Sequence, residues 1–321
     1  MNDLLSKVIR KTRAVYESKF QKEVSYNSHI EHLNFGIEAS NDEIKSIIEA
    51  GKPAMICRFG STELNTMTTF FLAEERSFWS NVRRYIKGEI PQFWVDNETI
   101  ESIMCFSGFF PKDMTLLRKF YELMLQDIQL IDVLGSWRKE EVFFHRYFPN
   151  AKRIPLKGLE PYYHESPWSL ALKDKKVLVI HPFTESIQAQ YQHRTQLFSE
   201  EVLPAFELKV IRAIQSIAFE ETQYRTWFEA LESMKDKINA LDFDIAIIGC
   251  GAYGLPLAAH VKRLGKQAIH LGGATQIMFG IKGKRWEDSP FFKHLFNEHW
   301  VYPLDSEKPQ HHAKVEGGCY W

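Results

Sequence analysis

The chain has 321 residues, of which 45% are hydrophobic and 25% are charged, as in a folded globular protein with a sizeable core rather than a disordered one. Its 40 Lys and Arg residues against 41 Asp and Glu residues give a formal net charge of −1, so no overall positive field marks it as a nucleic-acid-binding protein. The cysteines Cys57, Cys105, Cys250 and Cys319 lie far apart, unlike those of a zinc cluster or a disulfide framework. A cytoplasmic location fits best.

The first predicted element is a basic amphipathic helix near the N-terminus. Leu4, Leu5, Val8 and Ile9 form an apolar stripe flanked by lysines and arginines. Such a helix can lie on a membrane surface, although most amphipathic helices bury their stripe in their own domain or against a partner subunit. The sequence therefore predicts a helical extension over residues 1–36, with residues 2–20 as the segment for a subunit contact or a peripheral contact at the inner face of a membrane.

From residue 37 onward, short apolar runs alternate with longer helical patterns. A capping box at Ser40–Glu43 predicts a helix to about Ala50, and a strand at 53–57 leads through a turn to a helix near Ser61. Residues 98–147 and 220–241 are predicted to be helical. Further strands are predicted at 176–181, 208–213, 244–249 and 267–271. This alternation predicts an α/β fold, with a mainly parallel sheet and helices on both faces, as one domain over residues 37–303 followed by a tail over 304–321.

A glycine-rich turn, G-x-G-x-x-G at Gly249, Gly251 and Gly254, follows a predicted strand and opens a predicted helix. Glycines in such a turn let a phosphate approach the backbone, where N–H groups at the helix start face the anion. The motif indicates a nucleotide or phosphate site, with a merely tight structural turn as the alternative. The next predicted strand ends in His270-Leu271-Gly272-Gly273, without the acid that binds the ribose of NAD, so no NAD is expected.

The stretch from Ile245 to Trp286 contains no acid and six cations. Lys284 and Arg285 belong to its last part, K-G-K-R-W, which could close on a diphosphate. A solvated basic turn is the alternative.

Two other strand ends carry polar side chains. Arg58 to Leu64, R-F-G-S-T-E-L, follows the strand at 53–57, and ligands of open α/β sheets bind at the edge where strands end. A structural role in starting the helix explains Ser61 and Glu63, but it does not explain Arg58. His181 and Glu185 follow another strand and are candidate acid–base or sugar-binding groups, with a structural role for the histidine as the alternative.

Three stretches, Ile56–Leu64, Val177–Ile187 and Ile247–Trp286, together resemble the GT-D-type glycosyltransferases, a family first catalogued as a bacterial domain of unknown function. The resemblance implies a Rossmann-like domain that moves a sugar from a nucleotide-diphosphate donor, often a UDP-sugar, to a glycan or lipid-linked glycan acceptor in bacterial surface polysaccharide or glycoprotein synthesis. The family signature R-F-G-D-x-E implies two acids that bind metal and donor. Here Glu63 matches the second acid and Ser61 replaces the first. Since serine is a poor substitute for a carboxylate ligand, a requirement for Mn²⁺ or Mg²⁺ stays open.

We therefore expect a glycosyltransferase whose candidate catalytic residues are Glu63, Glu185 and His181, with Glu63 also the candidate metal ligand. The residues expected to bind the nucleotide sugar are Arg58, Phe59, Gly60, Ser61, Gly249, Gly251, Gly254, Lys284 and Arg285. One alternative is a non-catalytic nucleotide-sugar-binding or scaffold subunit of a glycan-assembly complex, which the Ser61 replacement favours. A second is a Rossmann oxidoreductase, which binding of NAD(P) would reveal.

Overall fold

A computed structural model describes residues 3–20 and 33–321 of the chain. Residues 1, 2 and 21–32 of the predicted N-terminal extension lie outside the described residues. Seven parallel strands form one sheet in the order β3-β2-β1-β7-β6-β4-β5. The strands are β1 (Ala54–Cys57), β2 (Val133–Ser136), β3 (Lys152–Pro155), β4 (Lys176–His181), β5 (Glu207–Arg212), β6 (Ile245–Ile248) and β7 (Gln267–His270). This is an α/β fold of the Rossmann-like type, as predicted.

Helices cover both faces of the sheet. They are α1 (Asp3–Phe20), α2 (Ile37–Ala50), α3 (Ser61–Glu75), α4 (Phe78–Ile86), α5 (Asn97–Ser107), α6 (Met114–Asp127), α7 (Leu156–Leu159), α8 (Thr184–Gln192), α9 (Trp227–Asn239), α10 (Gly254–Arg263), α11 (Ala274–Met278), α12 (Lys284–Glu287) and α13 (Pro290–Leu295). Successive strand residues point to opposite faces: in β6, Ile245 and Ile247 pack in one core, whereas Ala246 and Ile248 pack in the other. Burial on both faces explains why these strands are continuous apolar runs.

The five strands predicted from the sequence correspond to β1, β4, β5, β6 and β7, with ends that differ by no more than one residue. The predicted strand–helix–strand unit is also present, because β6 and β7 are parallel neighbours joined by α10. These strands could be recognised because each is an apolar run bounded by turn residues or by a helical pattern.

Two strands and two helix starts differ from the prediction. The prediction of a helical stretch over 98–147 is wrong in part, because β2 lies inside it, and β3 was not predicted; unlike the buried strand β1, β3 is not a continuous apolar run. The capping box at Ser40 is also wrong: α2 begins at Ile37, and the Ser40 hydroxyl donates to the Gly36 carbonyl within the helix. The helix predicted over 220–241 begins only at Trp227, where the Thr226 side chain accepts from the Glu229 N–H.

Helix α1 packs against α4 by one side of the predicted apolar stripe. Ile9 is 4% exposed and Leu5 packs on the same core, whereas Leu4 and Val8 are 70% and 54% exposed. Arg10 adds an ion pair with Asp96 at 2.7 Å. The helix is thus part of the domain, and a subunit or membrane contact stays a prediction for its exposed side. Within residues 3–20 and 33–321, no helix combines the length and the apolar character needed to cross a membrane.

Residues 304–321, predicted as a tail, fold back onto the domain. Val315, Cys319 and Trp321 are buried in the same core as Ile245 and Ile247. The segment is therefore part of the packed structure, and it reaches the edge at which the strands end.

We expect Ile9→Ala to lower the free energy of unfolding by about 2 to 3 kcal/mol, because it removes a buried side chain. Val8→Ala, its exposed neighbour, should change that free energy by no more than about 0.5 kcal/mol. Urea denaturation of both variants measures the difference. Equal, small effects would contradict the docked position of α1.

Candidate functional site

A cavity of about 530 Å³ lies at the edge where the strands end, a volume typical of small-molecule sites. Its walls include residues just beyond or at the ends of five strands, namely Arg58 after β1, Trp137 after β2, His181 of β4, Gly249 after β6 and His270 of β7. The carboxyl ends of parallel strands meet at one edge, so side chains far apart in the sequence come together here. Sequence-predicted residues that line the cavity are Arg58, Gly60, Ser61, Glu63, His181, Gly249, Gly251 and Arg285.

Arg58 is the prominent charge of this cavity. Its guanidinium lies 4.5 Å from the centre of the Trp137 ring, and its Nε donates to the Phe59 carbonyl at 3.1 Å. Among the described residues, no carboxylate lies within ion-pair distance of it. Burial lowers the pKa of Arg58, yet an arginine keeps its charge in proteins. The remaining guanidinium donors are therefore available to an anion in the cavity.

Phe59 has a positioning role rather than a binding one. Its ring is fully buried beside Phe144 and Phe148 and does not line the cavity. Its carbonyl accepts from Arg58 and also from Trp137 Nε1 at 3.0 Å. One backbone oxygen thus fixes both members of the stacked pair.

Glu63 folds back over the first turn of α3. A Cβ on Gly60 would lie 2.0 Å from Glu63 Oε2, so only glycine leaves room for this carboxylate. Burial raises the pKa of Glu63, against the opposing effects of its own backbone N–H, Arg58 and Ser107. Ser61, predicted to help start this helix, is its first helical residue, and Gly60 is the N-cap.

The residues around Glu63 fit a divalent cation poorly. Magnesium is usually held by one or two carboxylates together with substrate phosphates, but the Glu63 carboxylate is close to the positive Arg58 and receives hydrogen bonds from the helix start and from Ser107. Within the described parts of the chain, no three His, Cys, Asp or Glu side chains are grouped to hold a metal.

The glycine turn is shaped by its protein neighbours. Gly251 has a left-handed φ of +56°, and a Cβ on it would lie 2.9 Å from the Ser107 carbonyl oxygen. Gly254 is buried and does not line the cavity; a Cβ there would lie 2.1 Å from His270 Cε1. The Gly249 N–H already donates to the Ile180 carbonyl at 2.9 Å. Packing alone thus explains the glycines, and the N–H groups of Cys250 and Gly251 are the candidate donors to an anion.

Two neutral histidines line the cavity, and one presents a hydrogen-bond donor to it whereas the other presents an acceptor. His181 Nδ1 accepts from the Phe183 N–H at 3.0 Å, which places its proton on Nε2, and burial lowers the pKa of His181 to about 3. His270 Nδ1 instead donates to the Ile248 carbonyl at 3.1 Å, and burial, followed by the Arg58 charge, lowers the pKa of His270 to about 4. His181 therefore suits hydrogen-bond donation better than the proposed acid–base role, whereas His270 Nε2 is left as an acceptor.

Glu185 and Lys284 do not line the cavity. Glu185 is half exposed on α8 and pairs with Arg212 at 3.5 Å. Lys284 Nζ donates to the Gly317 carbonyl at 3.3 Å, whereas its neighbour Arg285 does reach the cavity wall. Both residues lie in segments that contribute to the cavity, as predicted, but their own side chains do not reach it.

The segment over 304–321 supplies a wall that sequence reasoning missed. Arg285 donates to the Tyr320 hydroxyl at 3.0 Å and pairs with Glu316. Trp321 also lines the cavity, and its buried Nε1 has no hydrogen-bond partner among the described residues. The sequence feature that could have indicated this wall is the pair Tyr320 and Trp321, which follows Gly317 and Gly318. Trp137 was missed because β2 was hidden in a helical pattern.

Comparison of the chain with protein-family models, with curated protein sequences and with solved structures finds no match. The likeness to GT-D-type glycosyltransferases thus stays a resemblance of motifs.

The Gly254–His270 contact can be tested by a double-mutant cycle. We expect Gly254→Ala to lower the free energy of unfolding by about 1 to 3 kcal/mol, because the new methyl group collides with the imidazole. In a His270→Ala background the same change should cost much less, since the ring is gone. Chemical denaturation of all four proteins gives the coupling. Equal costs in both backgrounds would contradict the contact.

Proposed function

We propose that the chain is a glycosyltransferase that transfers a sugar from a nucleotide-diphosphate donor, a UDP-sugar above all, to a glycan acceptor. The observation that carries the proposal is the Arg58 guanidinium, which stacks on Trp137 in a small-molecule cavity and has no carboxylate of the described residues within ion-pair distance. A partly buried positive charge without an ion-pair partner is costly, and a diphosphate supplies the two or more oxygens that a guanidinium binds best.

Other residues of the cavity complement a nucleotide sugar. Arg285 lies on the wall and pairs with Glu316. A phosphate of the donor could take the place of Glu316 as the partner of Arg285. The aromatic rings of Trp137, Tyr320 and Trp321 provide flat apolar surface for a base or a sugar ring. The cavity therefore combines an anion-binding centre with aromatic walls.

Transfer breaks the bond between the anomeric carbon of the sugar and the terminal phosphate oxygen of the donor. An acceptor hydroxyl oxygen forms the new bond to that carbon, and its proton passes to a base. We assign this role to Glu63, because it lies in the cavity near Arg58 and burial raises its pKa. The nucleoside diphosphate leaves with the electron pair, and Arg58 and Arg285 stabilise its growing negative charge. The Nε2–H of His181 is a further neutral donor to the donor phosphates or sugar.

A binding subunit without turnover is the second candidate. Ser61 favours it, because it leaves Glu63 as the one acid in the R-F-G-S-T-E-L turn. Such a protein would bind UDP through Arg58 and would neither hydrolyse UDP-sugars nor transfer their sugars.

We expect Arg58→Ala to slow hydrolysis of a UDP-sugar by roughly 10² to 10³, because one positioned charge donor is lost. Arg225→Ala, at an exposed arginine outside the cavity, is the matched control and should be unchanged. The measurement is UDP release from UDP-glucose, UDP-galactose and UDP-N-acetylglucosamine, together with calorimetric titration of UDP. Unchanged turnover in Arg58→Ala would show that the arginine does not bind the diphosphate. Binding without hydrolysis or transfer by the unaltered chain would favour the second candidate.

The pH dependence of the rate tests the base. Glu63 acts when ionised, so kcat/KM should fall as the pH falls through its raised pKa. His181, with a pKa of about 3, should add no transition near neutral pH. Glu63→Gln should bind UDP but turn over about 10² to 10⁴ times more slowly, without that acidic limb. An unchanged pH profile in this variant would assign the base to another group.

A further inference from the structure

A second cleft, of about 350 Å³, lies next to the cavity and shares Thr62 and Arg138 with it. Helices α3 and α5 contribute most of its wall, and α1 contributes Arg10. All the residues that line it are polar except Pro91. The polar groups of these side chains and their aliphatic parts are exposed in similar measure, so the cleft suits a ligand that presents both hydroxyl groups and C–H surface.

The cleft side of α3 is a polar stripe at helical spacing. Thr62, Asn65, Thr66 and Thr69 recur at intervals of three and four residues and all line the cleft, in a pattern that is normally apolar. The Thr66 and Thr69 hydroxyls donate to the carbonyls of Thr62 and Asn65 at 2.9 and 2.8 Å. Their oxygen lone pairs therefore remain as acceptors for hydroxyl groups of a ligand.

The charges that line the cleft are paired with one another. Arg10 lies 2.7 Å from Asp96 and 3.2 Å from Glu98, and Arg138 Nε lies 3.1 Å from Glu140. This arrangement differs from the cavity, where no carboxylate of the described residues lies within ion-pair distance of Arg58. Three acids face two arginines in the cleft, so its lining does not select an anion, but its carboxylates, amides and hydroxyls can exchange hydrogen bonds with a neutral ligand.

We propose that this cleft, defined by the Thr62–Asn65–Thr66–Thr69 stripe and the Arg10–Asp96 pair, binds the acceptor as an uncharged carbohydrate. The proposal rests on the proposed function and adds the place and chemical class of the acceptor. Thr62 borders both sites and precedes Glu63 on α3, so a sugar bound in the cleft has a route for one hydroxyl to the proposed base.

Asn65→Trp tests the cleft by filling it. Asn65 is exposed, so the larger side chain projects into the cleft without disturbing the core. Ala73→Trp, at an exposed position on the same helix outside both sites, is the matched control. Thr69→Val is a second variant that keeps the shape of a nearly buried residue and removes its acceptor oxygen.

The assay measures donor hydrolysis and transfer separately, with the same UDP-sugars and a panel of p-nitrophenyl glycosides of neutral hexoses, N-acetylhexosamines and uronic acids. We expect transfer to neutral glycosides to fall about a hundredfold in Asn65→Trp, because the acceptor is displaced, whereas hydrolysis of the donor by water continues. Thr69→Val should raise KM for the glycoside, and Ala73→Trp should match the unaltered chain. Transfer by Asn65→Trp at the unaltered rate, or a preference for uronic acids, would overturn the proposal and leave the glycosyltransferase assignment intact.

A binding measurement distinguishes failure of the proposed carbohydrate cleft from failure of the proposed glycosyltransferase function. If the unaltered chain shows neither hydrolysis nor transfer, the same neutral glycosides are titrated into ¹⁵N-labelled protein. Shifts of the Thr62–Thr69 amide signals that Asn65→Trp abolishes would support a carbohydrate cleft without the enzyme assignment. No shift of these signals by any glycoside at millimolar concentration would overturn the cleft itself.

Discussion

The stacked pair of Arg58 and Trp137 is the interaction on which the site depends. Two neighbouring parallel strands, β1 and β2, end at the same edge, and the Phe59 carbonyl accepts a hydrogen bond from both side chains. The ring and the carbonyl compensate only part of the cost of a poorly solvated charge, since cation–π contacts contribute about 0.5 to 2 kcal/mol. A bound anion would supply the rest, so the same feature that costs stability in the free protein favours ligand binding.

The cavity and the polar cleft differ mainly in how their charges are balanced. In the cavity, no carboxylate of the described residues lies within ion-pair distance of Arg58, and Arg285 is held by Glu316 from the returning segment over 304–321. In the cleft, Arg10 pairs with Asp96, and Arg138 pairs with Glu140, two residues further along the chain. This contrast suits a reaction between an anionic donor and a neutral acceptor, because each site then favours one substrate.

The sequence predicted those site residues whose positions follow from local patterns. Arg58, His181 and Gly249 could be expected at one site, because each follows or ends a recognisable strand and parallel strands end at one edge. Trp137 could not, because β2 lies within a stretch whose apolar pattern is helical. Tyr320 and Trp321 reach the cavity by a long-range return of the chain, which no local pattern encodes. Glu185 and Lys284 lie in the expected segments, but their side-chain directions depend on tertiary packing.

A crystal structure of the protein with UDP would show whether Arg58 binds the diphosphate of a nucleotide donor. We expect the diphosphate to lie within hydrogen-bond distance of the Arg58 guanidinium, at the end of β1 and facing the N–H groups of Cys250 and Gly251. A diphosphate bound elsewhere, with Arg58 still stacked on Trp137 and free of any anion, would contradict this expectation.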